Sequence, residues 1–274
     1  MGSVTRRATL HWYTRVQATS DSDRFQAWLQ DVFEARLGDA ETISMGPFRA
    51  VVTRVVKDKP VAWVTLVDPG VKDADGKRAL TKLRSAFKTQ DIEIEVEYDD
   101  HAFPHAAAWF ADSGLKLVET NPLMACRPDT FKAFAAPEVA LTRLSPHGKP
   151  AELEAFQKLR WTDGGDLDRE VQATETLRSE LGTATSVYLL AWLEWEPVGT
   201  GVSHVTRTAA EVVGVVTRND RRRRGVAATV TSELVRRHFE GGGDFVFLDA
   251  ANDEAAKVYE RLGFTRFGSK ALYR

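Results

Sequence analysis

The sequence predicts an α/β chain built from two similar halves, and three observations predict it. Apolar, β-branched runs alternate with helix-period runs along all 274 residues. Laying Gly114 on Gly263 also brings Ala106 onto Ala255, Ala107 onto Ala256, Phe110 onto Tyr259 and Leu115 onto Phe264. Both halves then share the order strand, helix, strand, helix, closing strand. Finally, residues 211–239 read as an apolar strand, a short basic loop and a long amphipathic helix. A chain with 43% hydrophobic and 28% charged residues is that of a folded globular protein.

The elements follow in order. Residues 10–16 are strand-like, and Phe25, Trp28, Leu29, Val32 and Phe33 recur at helical spacing within 21–37. Residues 48–56 and 61–67 form a predicted hairpin across Lys57, Asp58, Lys59 and Pro60. Asp68, Pro69 and Gly70 stop the second strand, and a helix follows over about 77–88. Over 92–98, Ile92, Ile94 and Val96 alternate with Glu93, Glu95 and Glu97, as in a half-exposed strand. A helix over 104–112 ends at Gly114, and 115–126 returns as one or two strands. Residues 131–138 read as the connector, which sets the expected domains at 1–134 and 138–274.

In the second half, 139–144 is a strand, and 151–161 and 170–181 are helices split by a loop carrying Asp163, Asp166 and Asp168. Residues 187–192 and 198–205 form a hairpin, 211–217 is a strand and 225–239 a helix ended by Gly241, Gly242 and Gly243. A short strand at 245–248, a helix at 253–262 and a strand at 264–273 close the chain.

Several function classes are excluded by composition. The net charge of −2 offers no general attraction to nucleic acid or an anionic membrane. No apolar run approaches the ~20 residues needed to span a bilayer, and no charged-then-apolar leader is present at the start. Cys126 is the single cysteine, so an intrachain disulfide and a cysteine-rich metal site are excluded. The expectation is a cytoplasmic protein without a metal.

The chemistry concentrates around Gly225. Gly225 and Ala227 carry little or no side chain where the helix begins, which leaves main-chain N–H groups open at its positive end. That end suits a diphosphate, with Arg222, Arg223 and Arg224 adding charge at the rim. Arg222-x-x-Gly225-x-Ala227 resembles the Gln/Arg-x-x-Gly-x-Gly/Ala signature of the GNAT superfamily of N-acyltransferases. Downstream, Asn252, Ala255, Tyr259, Leu262, Gly263 and Phe264 resemble that family's Asn-x-x-Ala-x-x-x-Tyr-x-x-Leu-Gly-Phe stretch. Asn219, where a proline is common, and Ala227, where the last glycine is common, depart from the pattern.

The resemblance implies two tandem GNAT-like, mixed, mostly antiparallel sheets flanked by helices, with acetyl-CoA entering a splay between two strands. It implies that Val215, Val216 and Thr217 line the pantetheine arm. The N–H groups of Arg222, Arg223, Arg224, Gly225, Val226, Ala227 and Ala228 would surround the diphosphate. Asn252 would bind the pantetheine amide and Tyr259 would face the sulfur. Thioester aminolysis needs a donor for the carbonyl oxygen, a proton for the thiolate and an unprotonated amine. A main-chain N–H near Val215 or Val216, the Tyr259 phenol, and Glu211 or a water meet those needs, with His204 as another possible base.

The expected acceptor is a primary amine of a small molecule or peptide, on a monomer or homodimer. Asp163, Asp166 and Asp168, with Trp161 and Trp192, are candidates for its site, although the aspartates read first as a polar surface loop and the tryptophans as core. In the first half Phe103 and Phe110 stand where Asn252 and Tyr259 would be, and no phosphate signature follows Pro69. That half reads as a degenerate copy. Two other readings compete: a non-catalytic acyl-CoA binding or sensing module, and a nucleic-acid patch of Arg218 and Arg221 to Arg224, which the net charge opposes.

Overall fold

A computed structural model of the chain describes residues 20–35, 42–56, 59–162, 174–182, 186–206 and 208–274. The predicted strand at 10–16 and the loop of Asp163, Asp166 and Asp168 lie outside these residues, as does the side chain of Trp161. The first half holds α1 (Asp21–Ala35), β1 (Thr42–Met45), β2 (Phe48–Val56), β3 (Lys59–Leu66), α2 (Asp73–Lys88), β4 (Glu93–Asp99), α3 (Ala106–Asp112) and β5 (Leu117–Cys126). The second holds β6 (Ala140–Arg143), α4 (Pro150–Thr162), α5 (Thr174–Leu181), β7 (Ser186–Leu193), β8 (Glu196–Thr206) and β9 (Ala209–Thr217). A short 3₁₀ turn (Asn219–Arg221), α6 (Val226–Glu240), β10 (Phe245–Asp249), α7 (Asp253–Arg261) and β11 (Thr265–Tyr273) complete it. No described helix is long and apolar enough to cross a membrane.

The repeat is visible in how equivalent helices end. The Phe264 N–H donates to the Tyr259 carbonyl and the Gly263 N–H to that of Glu260. The Leu115 N–H likewise donates to Phe110 and the Gly114 N–H to Ala111. Gly263 and Gly114 both adopt a left-handed backbone, at φ 92° and 85°, which this helix-ending arrangement requires.

Strands are mostly antiparallel; β3 with β4 and β9 with β10 are the parallel pairs. The expected pair of sheets is joined into one of eleven strands, ordered β1-β2-β3-β4-β11-β5-β10-β9-β8-β7-β6. The join is an exchange. β11, from the second half, pairs with β4, and β5, from the first half, pairs with β10. The two exchanged strands pair antiparallel with each other from Thr265↔Ala125 to Tyr273↔Leu117. Each closing strand is thus built into the other half's sheet.

Strand alternation sorts the helices onto two faces. Leu123 and Ala125 pack with Phe25, Trp28 and Leu29 of α1. Met124 and Cys126, one residue out of phase, share a core with α6 and α7. Leu153 and Phe156 of α4 and Leu177 of α5 pack with Tyr188 and Leu190 of β7. The core of α2 and α3 uses Val64, Val96, Tyr98, Ala271 and Tyr273. α1, α4 and α5 therefore cover one face, and α2, α3, α6 and α7 the other.

Candidate active site

A wedge opens between β9 and β10. Their parallel pairing joins Ala209, Ala210 and Glu211 to Phe245, Val246 and Phe247 and goes no further, while β9 continues to Thr217 beside β8. A bulge accompanies the divergence: Val213 and Val216 oppose Val202 and Thr200, so Gly214 and Val215 together face Gly201. Gly214 sits at φ 58°, and its carbonyl accepts a hydrogen bond from Thr200 Oγ1 at 2.9 Å. A left-handed glycine at the first bulge position increases strand twist and turns β9 away from its neighbour. The sequence predicts an unbroken strand over 211–217; the bulge interrupts it at Gly214, the lone glycine of the run.

At the end of this wedge lies the basic loop. Arg223 (φ 61°) and Gly225 (φ 76°) are both left-handed, and no side chain caps α6. Among the described residues, no hydrogen bond is made by any main-chain N–H from 222 to 228; the first in α6 runs from Thr229 to the Gly225 carbonyl. Such a row of unpaired donors at a helix start is an anion site. The arginines divide. Arg218 and Arg221 both bond Glu196 Oε2, at 2.8 and 2.9 Å, and Arg218 also bonds Asp220. Their charge is thereby matched, which removes the core of a nucleic-acid patch. Arg224 lies 3.5 Å from Glu194, while Arg222 and Arg223 are exposed beside the open N–H groups. Thr217 Oγ1, at the end of β9, is buried without a partner.

Tyr259 forms the inner wall. It is 8% exposed and shares one core with Val226 of α6 and Val215 of the bulge. Burial, with a smaller contribution from Asp249, pushes its phenol up to about 12. Asn252 Oδ1 accepts from the Ala255 N–H at 2.9 Å and so caps α7. The sequence predicts a ligand role for Asn252; the cap adds a structural one and leaves both Nδ2 donors for a ligand.

The opposite face carries the proton-accepting groups. Ser186, His204 and Glu211 are direct cross-strand neighbours on β7, β8 and β9, and His204 Nδ1 is hydrogen-bonded to Ser186 Oγ at 2.8 Å. Glu211 is half-buried at the last residue paired with β10, where the wedge begins. Trp192 donates its indole N–H to Thr142 Oγ1 at 3.0 Å and packs in the α4–α5 core.

Lys270, absent from the sequence-based candidates, ties this face together across the seam. Its Nζ lies 3.0 Å from Asp249 Oδ2 and 3.8 Å from Glu97 Oε2, and the Trp63 indole N–H donates to that same Glu97 oxygen at 3.2 Å. Burial alone would pull the ammonium toward neutrality. Asp249, Glu97 and Glu211 outweigh it and hold the pKa above the ordinary lysine range. A raised folded-state pKa means the contribution is fully present below the ordinary lysine value and lost only as pH climbs past it. Lys270→Met should therefore cost about 2 kcal/mol at pH 7, less than the roughly 3–5 kcal/mol of a fully buried pair, because Lys270 and Asp249 each keep 23% side-chain exposure. Urea unfolding of the variant at pH 7 checks this; an unchanged midpoint would remove the electrostatic account.

Comparison with known proteins places a family match within the second half. Residues 153–264 match the acetyltransferase (GNAT) family. These residues form a GNAT domain. A GCN5-related N-acetyltransferase from Kribbella flavida is similar in structure, with a TM-score of 0.74 at 22% identity over 93% of this chain and 96% of that one. One from Sphaerobacter thermophilus gives 0.61 at 16% identity over 83% and 76%. A tandem GNAT protein from the clavulanic acid biosynthesis pathway gives 0.57 at 15% identity over 84% and 78%. At these identities the likeness is one of fold. A search of curated proteins found no match.

The GNAT domain and the first half differ at equivalent positions. Phe103 and Phe110, 4% and 0% exposed, are core residues where the GNAT domain has Asn252 and Tyr259. α2 starts with Asp73 and Asp75, which repel an anion, while α6 has no acidic residue in its first turn. β3 extends only Thr65 and Leu66 past its last pair with β4, so no comparable wedge opens there.

Proposed function

We propose that the GNAT domain transfers an acetyl group from acetyl-CoA to a primary amine of a small molecule or peptide by direct attack. The observation that carries this is the row of unpaired N–H groups at 222–228, at the end of a wedge walled by Tyr259. The residues fit the cosubstrate. The main-chain donors of 222–228, with Arg222 and Arg223, hold the diphosphate, and Val215, Val216 and the unpartnered Thr217 hydroxyl line the arm. Asn252 Nδ2 donates to the pantetheine amide. A main-chain N–H of β9 near the bulge donates to the thioester oxygen as it gains charge.

Glu211, or a water it holds, takes the proton of the attacking amine as the C–N bond forms. Tyr259 gives its proton to the sulfur as the C–S bond breaks. In this reading residues 1–134 are a degenerate GNAT-like copy and 138–274 the catalytic unit. Free-thiol release from acetyl-CoA over polyamines, aminoglycosides, amino acids and peptides tests it. Release driven by at least one amine is expected. Tight acetyl-CoA binding without release for any amine would instead make the chain an acyl-CoA binding module, consistent with the loss of chemistry in the first half.

A further inference from the structure

The segment joining the halves is fastened to the GNAT domain. The Phe131 ring meets Phe239 of α6 edge-on at 5.7 Å, and the Lys132 N–H donates to the Leu262 carbonyl after α7 at 2.9 Å. The Phe134 N–H then donates to Ser232 Oγ and the Ala136 N–H to Thr229 Oγ1, both at 2.9 Å. These contacts step back along α6, from 239 to 232 to 229, and arrive at its first turn. A Cβ built on Gly225 would lie 3.0 Å from Ala136 Cβ and 3.1 and 3.3 Å from Cε1 and Cζ of Phe134.

The ring of Phe134 thus touches the glycine of the anion site, yet 45% of the residue is exposed. It belongs to none of the apolar cores. The backbone, by contrast, is pinned at Phe134 and at Ala136: Ser232 and Thr229, which accept their N–H groups, are 3% and 4% exposed. A held aromatic face, open to solvent at the edge of a diphosphate site, is suited to a flat heteroaromatic ring attached to that diphosphate.

We propose that Phe134 is the platform on which the adenine of CoA stacks, which makes the linker part of the cosubstrate site. The inference rests on the acetyl-CoA reading above. In CoA the adenosine is joined directly to the diphosphate, so an anchor at 222–228 delivers the base to the rim where Phe134 lies. The proposal commits to Phe134 over Trp195, which is 94% exposed on the β7–β8 turn. The neighbours of Trp195 reach the basic loop through ion pairs, Glu194 with Arg224 and Glu196 with Arg218 and Arg221.

Calorimetric binding of CoA and of 4′-phosphopantetheine, which lacks the 3′-phosphoadenosine and the phosphate that joins it, separates the possibilities. Phe134→Ala should weaken CoA about tenfold and leave 4′-phosphopantetheine unchanged, and Phe134→Trp should restore CoA binding. Trp195→Ala should alter neither. Equal weakening of both ligands by Phe134→Ala, no weakening at all, or an adenosine-specific loss in Trp195→Ala would each overturn the assignment. Wild-type protein that binds no CoA would overturn the acetyl-CoA reading itself, and this inference with it.

Discussion

Tyr259→Phe should lower kcat about a hundredfold while leaving the KM for acetyl-CoA within about twofold, the pattern of a group that acts only as the bond breaks. The phenol is nearly out of solvent and its pKa is pushed up to about 12, so it stays protonated over the whole working range. An acid that never ionises in the assay is available at every turnover. The same shift predicts that the wild-type rate shows no fall between pH 8 and 10 on account of this residue. Phenylalanine keeps the ring that packs against Phe264 at 6.0 Å between centroids, so the variant should fold and melt like the parent. An unchanged kcat in the variant would remove the tyrosine from the chemistry.

Gly263→Ala should destabilise the protein by about 4 kcal/mol, at the severe end for a single substitution. A left-handed backbone with a side chain costs about 1–2 kcal/mol by itself. Here the new Cβ would also fall 1.9 Å from the Thr130 carbonyl oxygen, main-chain atoms that have no rotamer to escape through. The repeat supplies a control in the same molecule. Gly114 ends its helix with the same hydrogen bonds and a similar φ, but a Cβ there meets nothing within 4 Å. Gly114→Ala should cost only about 1 kcal/mol. Urea unfolding of both variants measures the difference, and similar losses would contradict the clash.

The parts legible in the sequence were those fixed by neighbours in the chain. The strand, loop and helix around Gly225, and the helix from Asn252 to Gly263, depend on glycine conformations, caps and apolar periods that lie within about a dozen residues. The match of Gly114 to Gly263 reached further because it compares two local patterns. Contacts that join distant residues were not legible. Nothing in the alternation of 117–126 or 265–273 says which strand lies alongside, so one continuous sheet stood where two were expected. The Lys270 network draws on Trp63, Glu97 and Asp249, strands apart in sequence, and each residue alone looks like an ordinary strand position. Gly214 and the linker were read as plain strand and plain connector, because a bulge and a docked segment are defined by their partners.

The position of β11 also constrains how the sheet is assembled. Tyr273, its last residue, pairs with both β4 and β5. Until β11 is in place the first half holds two strands flanking a vacant lane, with unpaired edges on each side. Closure therefore requires both halves together, and deleting β11 would expose the middle of the sheet.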